Sequence, residues 1–165
     1  GASKPVEVRV ERMGEREFAG AVHMPRARAI EEVELACEEV RGALRLVRME
    51  GISHAIIEPS SAFWWLRVKP EEAERTVRAW CGELGCDGLG LMFVAGEGEE
   101  RQLTPLVFVP ASDTVFWENS CASGSAATGM YVGAARLELH EPGGTLVVTC
   151  DPATKDTWLH GTVRW

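Results

Sequence analysis

From Asn119 to Gly129 the chain contains almost nothing larger than threonine: Asn119-Ser120-Cys121-Ala122-Ser123-Gly124-Ser125-Ala126-Ala127-Thr128-Gly129. A helix built from Ala, Ser, Gly and Thr over residues 123–135 has no amphipathic stripe, so it is stable only where other structure encloses it on all sides. Small side chains there let helix and sheet backbones come close. The rest of the chain must therefore provide the enclosing wall.

The remaining sequence reads mostly as strands. Val6, Val8 and Val10 alternate with Glu7, Arg9 and Glu11, the period of a half-buried strand over residues 5–12, and Glu17 to Met24 returns as its hairpin partner. Residues 29–42 fit helical spacing, with Ile30, Val33, Cys37, Val40 and Leu44 on one stripe. Short strands are expected at Leu44 to Met49, His54 to Glu58 and Phe63 to Val68, the last carrying Trp64 and Trp65. Pro70, the acids Glu71, Glu72 and Glu74, and the stripe Ala73, Val77, Trp80, Cys81, Leu84 define a helix that Gly85 ends. Leu89 to Ala95, Thr104 to Val109, Thr114 to Trp117, Thr145 to Cys150 and Thr157 to Arg164 are further strands, with Gly96 to Glu100 an acidic hairpin loop and Glu141-Pro142-Gly143-Gly144 a turn. The sum is roughly ten strands and three helices, an α+β domain with a curved sheet around at least one helix.

Composition narrows the function. The chain has 165 residues, 45% hydrophobic and 25% charged, which suits one soluble domain with one good core rather than two independent ones. Residues 5–165 are read as that domain and residues 1–4 as a linker. A net charge of −8 argues against a nucleic-acid groove or an anionic membrane surface. No apolar run approaches the roughly 20 residues that span a bilayer and no basic-then-apolar leader is present, so a cytoplasmic location is expected. The five cysteines, at 37, 81, 86, 121 and 150, lack the paired spacing of a zinc ribbon, and His23, His140 and His160 are scattered, so no metal site is expected.

One segment carries chemistry. Cys121 stands where the small-residue helix begins, and the first amides of a helix have no intrahelical partner. Those amides and the positive end of the helix dipole are expected to lower the thiol's pKa and to hold a carboxylate. Together they describe proton abstraction from a carbon next to a carboxylate. An arbitrary Cys-x-x-Gly is more often a buried cysteine in a tight turn. The context favours a site, because strand Thr114 to Trp117 feeds directly into the turn and an all-small helix leaves it.

Trp117-Glu118-Asn119-Ser120-Cys121-Ala122-Ser123-Gly124-Ser125-Ala126 resembles the second cysteine motif of the diaminopimelate epimerase superfamily. Pro142-Gly143-Gly144-Thr145-Leu146-Val147-Val148 followed by His160-Gly161 resembles that family's closing strands, and Gly51-Ile52-Ser53-His54-Ala55-Ile56-Ile57 stands where the family has a Gly-Asn-Pro-His-Ala-Val strand. The landmarks cover residues 51–161.

The resemblance implies a half-domain with a mostly antiparallel sheet wrapped around a central helix, and it is read as the C-terminal half of a cofactor-independent racemase or epimerase. In such enzymes two halves each bring a cysteine to opposite faces of the α carbon, one as thiolate base and the other as thiol acid. Cys121 would be one of the pair, with the amides of Ala122, Ser123, Gly124 and Ser125 on the substrate carboxylate and Glu118, Asn119 and His54 at the cleft. The other half would be a missing N-terminal half-domain or a second copy of this chain.

The departures bear on the substrate. Asn119 is the only asparagine and Gln102 the only glutamine, whereas the epimerase uses several asparagines on the distal end of diaminopimelate. Ile52 and Gly90-Leu91-Met92-Phe93 stand at those places and would leave a zwitterionic end unsatisfied, which disfavours diaminopimelate. A shorter amino acid with an imidazole or apolar side chain fits better, as in the family's histidine and proline racemase branches. Two other readings use the same residues: a non-catalytic domain that holds a small carboxylate, and an isomerase of this fold that uses carboxylates, Glu118 among them, in place of cysteines.

Overall fold

Residues 89–94 form an unbroken apolar run, the pattern of a strand covered on both faces. In the structure, a computed structural model that describes residues 5–164, this run divides between two hydrophobic clusters: Leu89, Leu91 and Phe93 point into one, Met92 and Val94 into the other. One sheet therefore has two covered faces. The expected single core is two clusters that share strands, neither independent of the other.

The strands are β1 (Val8–Gly14), β2 (Glu17–Met24), β3 (Ala29–Cys37), β4 (Val40–Arg48), β5 (Ser53–Ile57), β6 (Leu89–Glu97), β7 (Glu100–Val109), β8 (Thr114–Trp117), β9 (Arg136–Glu141), β10 (Gly144–Cys150) and β11 (Thr157–Arg164). They make one sheet in the order β1-β2-β11-β10-β9-β7-β6-β5-β4-β3, with β8 beside β7. Among the described residues, only β5–β6 and β7–β9 are parallel pairs. The helices α1 (Pro70–Leu84) and α2 (Ala122–Val132) lie on opposite faces: α1 packs on β6 and β7, whereas α2 touches β5, β6, β9, β10 and β11. This is the expected α+β arrangement of a mostly antiparallel sheet around a small-residue helix.

Helix α1 follows its sequence signals. Pro70 opens it, Glu71 and Glu72 lie in the first turn, and Gly85 closes it in the left-handed region at φ 64°. Helix α2 is enclosed because it is thin. A Cβ on Gly129 would stand 2.4 Å from Val148 Cγ1, and one on Gly124 would stand 2.3 Å from Met92 Sδ. Residues 124–129 are all buried.

Four expectations change. The helix expected over residues 29–42 is the hairpin β3–β4, turned by Glu38 and Glu39, and Ile30 is 42% exposed. Its spacing fits both periods, since Val33, Leu35 and Cys37 turn inward between exposed Glu32, Glu34 and Ala36. The strand expected at Phe63 to Val68 is a 3-10 turn, Trp64–Val68, in which Trp64 and Trp65 pack against the α1 cluster. Strand β1 is an edge exposed along its whole length, not half-buried. Strand β9 was not anticipated. Residues 1–4, read as a linker, lie outside the described residues, and among the described residues no helix is long and apolar enough to cross a membrane.

Candidate active site

Strand β8 ends at Trp117, and the chain crosses Glu118, Asn119 and Ser120 before entering α2. Cys121 is the N-cap residue, with extended backbone (φ −127°, ψ 107°). Its Sγ accepts the Gly124 amide hydrogen at 3.3 Å and lies 3.7 Å from Ser123 Oγ. The Ser123 hydroxyl in turn lies 3.1 Å from Nε2 of His54 on β5.

His54 is fully buried, its Nδ1 has no hydrogen-bond partner, and burial pushes its pKa down to about 3. The ring is therefore neutral at ordinary pH. It faces α2 from below because β5 presents Ala55 and Ile57 to the α1 cluster and the alternate residues to the other side.

Cys121 is 5% exposed, and its thiol differs from expectation. A lowered pKa was expected at the helix terminus, yet burial pushes it up to about 12, with Glu118 adding to the rise. The Gly124 amide and Ser123 hydroxyl act the other way but do not prevail. The cost of burying a thiolate in the apolar cluster that Cys121 joins exceeds what one amide and one hydroxyl return.

Glu141, at the end of β9, is the residue that sequence reasoning missed. It is 8% exposed, on the α2 side with Leu137 and Leu139. Its Oε1 accepts the Cys121 amide hydrogen at 3.0 Å, and its Oε2 lies 2.8 Å from Ser125 Oγ. Ser125 Oγ also lies 2.6 Å from the Cys121 carbonyl oxygen. Burial raises the pKa of Glu141, the Cys121 amide and Ser125 hydroxyl lower it, and the charge of Glu118 raises it further. Had residues 136–141 been read as a strand, the alternation Leu137, Leu139, Glu141 would have placed this carboxyl on the inner face.

The expected amides are thus divided. Those of Gly124 and Ser125 are taken by Cys121 Sγ and the Cys121 carbonyl. Those of Ala122 and Ser123 have no protein partner among the described residues, and Ala122 is exposed. Two amides of the expected four, not all of them, are left without a protein partner among the described residues. Asn119 contributes through its backbone, its carbonyl accepting from the Gly143 amide at 2.7 Å. Asn119 and Ser120 are exposed, so the cysteine end of α2 forms a rim rather than a closed cavity. A groove of about 510 Å³ lies at the other end, lined by Ile30, Met130, Cys150 and Thr157 among others.

On the opposite face, Glu100, Glu138 and His140 bring ligand atoms within 4.8 Å of one another, where the scattered histidines had suggested no cluster. His140 Nε2 lies 2.6 Å from Glu100 Oε1, in a half-exposed pair. This cluster is remote from α2 in orientation, because His140 and Glu141 are successive residues of β9.

Comparison with known proteins adds family information. The family model described as histidine racemase CntK N-terminal domain matches residues 1–163. A histidine racemase of Staphylococcus aureus (strain Mu50 / ATCC 700699) is 40% identical over 58 residues, 31% of this chain and 21% of that protein. One from Fusobacterium nucleatum subsp. nucleatum (strain ATCC 23726 / VPI 4351) is 29% identical over 133 residues, 80% of this chain and 47% of that protein. This chain thus spans about half the length of that curated relative. Among solved structures, a putative phenazine biosynthesis PhzC/PhzF protein from Clostridium difficile (strain 630) superposes with a TM-score of 0.47 at 10% identity, covering 94% of this chain and 58% of that one. The matching family model is an N-terminal domain, the reverse of the C-terminal placement expected from the motifs.

Proposed function

The chain belongs to the histidine racemase CntK N-terminal domain family, and from that premise we propose that it is one half of a cofactor-independent amino-acid racemase in which Cys121 exchanges a proton with the α carbon. The observation that carries this reading is Cys121 at the N-cap of an enclosed helix, its sulfur on the Gly124 amide and two further amides free beside it. The free Ala122 and Ser123 amides suit a substrate carboxylate. The sulfur, on the same turn, then lies beside the carbon that bears it.

The raised thiol pKa supports a protonated resting form. With its pKa near 12, Cys121 enters as the protonated acid, poised to deliver a proton to the face opposite the base. After delivery the thiolate is held by the Gly124 amide and by the Ser123 hydroxyl, which turns its hydrogen toward sulfur while His54 Nε2 lies on its other side. In the reverse direction the substrate's α-ammonium favours the thiolate, against burial and the charge of Glu118, which both oppose it. The second cysteine of the pair is assigned to the other half of the enzyme, placed after this domain in keeping with the family model.

Histidine is the proposed substrate, in line with the names of the relatives. Ile52 and Gly90, where diaminopimelate epimerases place amide side chains, support a substrate without a distal zwitterion.

The test is exchange of the α proton with solvent deuterium by the full-length enzyme, wild type against Cys121→Ala. The expected loss is roughly 10²–10⁴-fold. Exchange at the normal rate in the alanine variant would rule out the cysteine. The reading in which Glu118 itself takes the α proton draws on the influence of its charge on the thiol, and retained activity after alkylation of Cys121 would favour it.

A further inference from the structure

Cys121 makes half of a capping box: as N-cap it accepts the amide of Gly124, three residues on. In the complete motif the residue three on returns a carboxyl oxygen to the N-cap amide. Here that residue is Gly124, and its site has no room for a side chain because Met92 Sδ occupies the space. The returning oxygen comes instead from another strand, as Glu141 Oε1 on the Cys121 amide at 3.0 Å. The box is split between α2 and the end of β9, and the turn after Glu141 is clamped to the same loop by the bond from the Gly143 amide to the Asn119 carbonyl.

Hydrogen counting then fixes the form of Glu141. Ser125 Oγ has short contacts to two oxygens, 2.6 Å to the Cys121 carbonyl and 2.8 Å to Glu141 Oε2, yet a serine hydroxyl owns one hydrogen. If Glu141 is ionised, both neighbours are acceptors and one contact has no hydrogen. If it carries a proton, the ring closes. Oε2–H donates to Ser125 Oγ, Ser125 O–H donates to the Cys121 carbonyl, and the Cys121 N–H donates to Oε1. The surroundings agree, since Glu141 is buried and the charge that acts on it, Glu118, has the same sign.

We propose that Glu141 is a positioning residue for Cys121 and does this as a neutral carboxylic acid. The proposal rests on the reading of Cys121 as the proton-transfer group. Neutrality matters because an ionised carboxylate against the first amide of α2 would oppose the positive helix end where the substrate carboxylate binds. A neutral acid fixes the N-cap backbone and leaves that potential intact.

The test compares Glu141→Ala and Glu141→Gln in the full-length enzyme, with Cys121→Ala alongside. Glutamine keeps the acceptor for the Cys121 amide and a donor for Ser125, so it is the isostere of the protonated acid. Glu141→Ala is expected to lower kcat roughly ten- to a hundredfold with KM changed less than about threefold, and Glu141→Gln to restore most of kcat. Glutamine as slow as alanine would overturn the neutral acid, and alanine at wild-type kcat would overturn the positioning role. Infrared spectroscopy decides independently of activity, which matters if the alanine variant does not fold. A buried carboxylic-acid C=O band is expected in the wild type and absent in Glu141→Gln, and its absence from the wild type would overturn the proposal. If Cys121→Ala retains full activity, the reading of the cysteine fails. An inactive Cys121→Ala beside a fully active Glu141→Ala sinks the role of Glu141 alone.

Discussion

The two helices of this domain solve the same packing problem by opposite means. Helix α1 is amphipathic and holds its place with bulk: Val77, Trp80 and Cys81 enter a cluster in which Phe63 meets Trp80 edge-on at 4.9 Å between ring centroids. Helix α2 holds its place by lacking bulk, with Gly124 and Gly129 pressed against Met92 and Val148. One helix contains a cysteine and the other is capped by one, and the two thiols differ in kind. Cys81 lies in the last turn of α1 and donates to the Cys86 carbonyl at 3.2 Å, whereas Cys121 caps α2 and accepts from an amide. A helix anchored by large side chains can shift as they repack. One whose own backbone is pressed against its neighbours' side chains has less freedom to do so.

The comparison can be sharpened first through pH. His54 beneath α2 has its folded pKa near 3, below the ordinary 6.5, so between these values the unfolded chain binds more protons than the folded one. Stability is thus fully present above about pH 6.5 and falls by several kcal/mol as pH drops toward 3. Glu141 has the opposite sign: its raised pKa contributes stability at low pH that is lost as pH rises through the folded value. Urea titrations of the full-length protein across this range, with His54→Leu beside the wild type, should show the acid slope in the wild type and a flatter one in the variant. Equal slopes would remove His54 as its cause.

One substitution made on each helix should then give opposite signs. Gly129→Ala in α2 places a methyl against Val148 and is expected to destabilise by about 1–3 kcal/mol. Gly82→Ala in α1 meets nothing within 4 Å and is expected to stabilise by about 0.5–1 kcal/mol. Chemical denaturation midpoints measure both, and a neutral Gly129→Ala would show that α2 is not pressed against Val148.

How much of this was legible depended on local chemistry. Helix α1 carries start and stop signals in its own residues, Pro70 and Gly85, and β2 and β8 were bounded as observed. The enclosure of α2 was readable because its composition admits no other solution. The β3–β4 hairpin was not, because its turn uses Glu38 at φ 55°, a conformation that sequences usually announce with glycine or asparagine. Cys121 and Ser123 were expected at the start of α2 and His54 near the cleft, and the structure brings the Ser123 hydroxyl within reach of both. The sign of the thiol's pKa shift was not foreseen, because desolvation depends on a buried cluster drawn from several other strands. Glu141 stayed hidden for a related reason, since its inward direction exists only once β9 is paired with β10.

The pairing of β2 with β11 has a temporal meaning. Glu17 to Met24 runs antiparallel to Thr157 to Arg164 through eight successive residue pairs, so strands from opposite ends of the domain become neighbours. As the chain emerges during synthesis, α2 is complete well before β11, and for that interval one side of a helix with no amphipathic stripe has no cover. Non-local closure of this kind slows folding, because the loop entropy is lost before the contacts form. The cover over α2 is completed last.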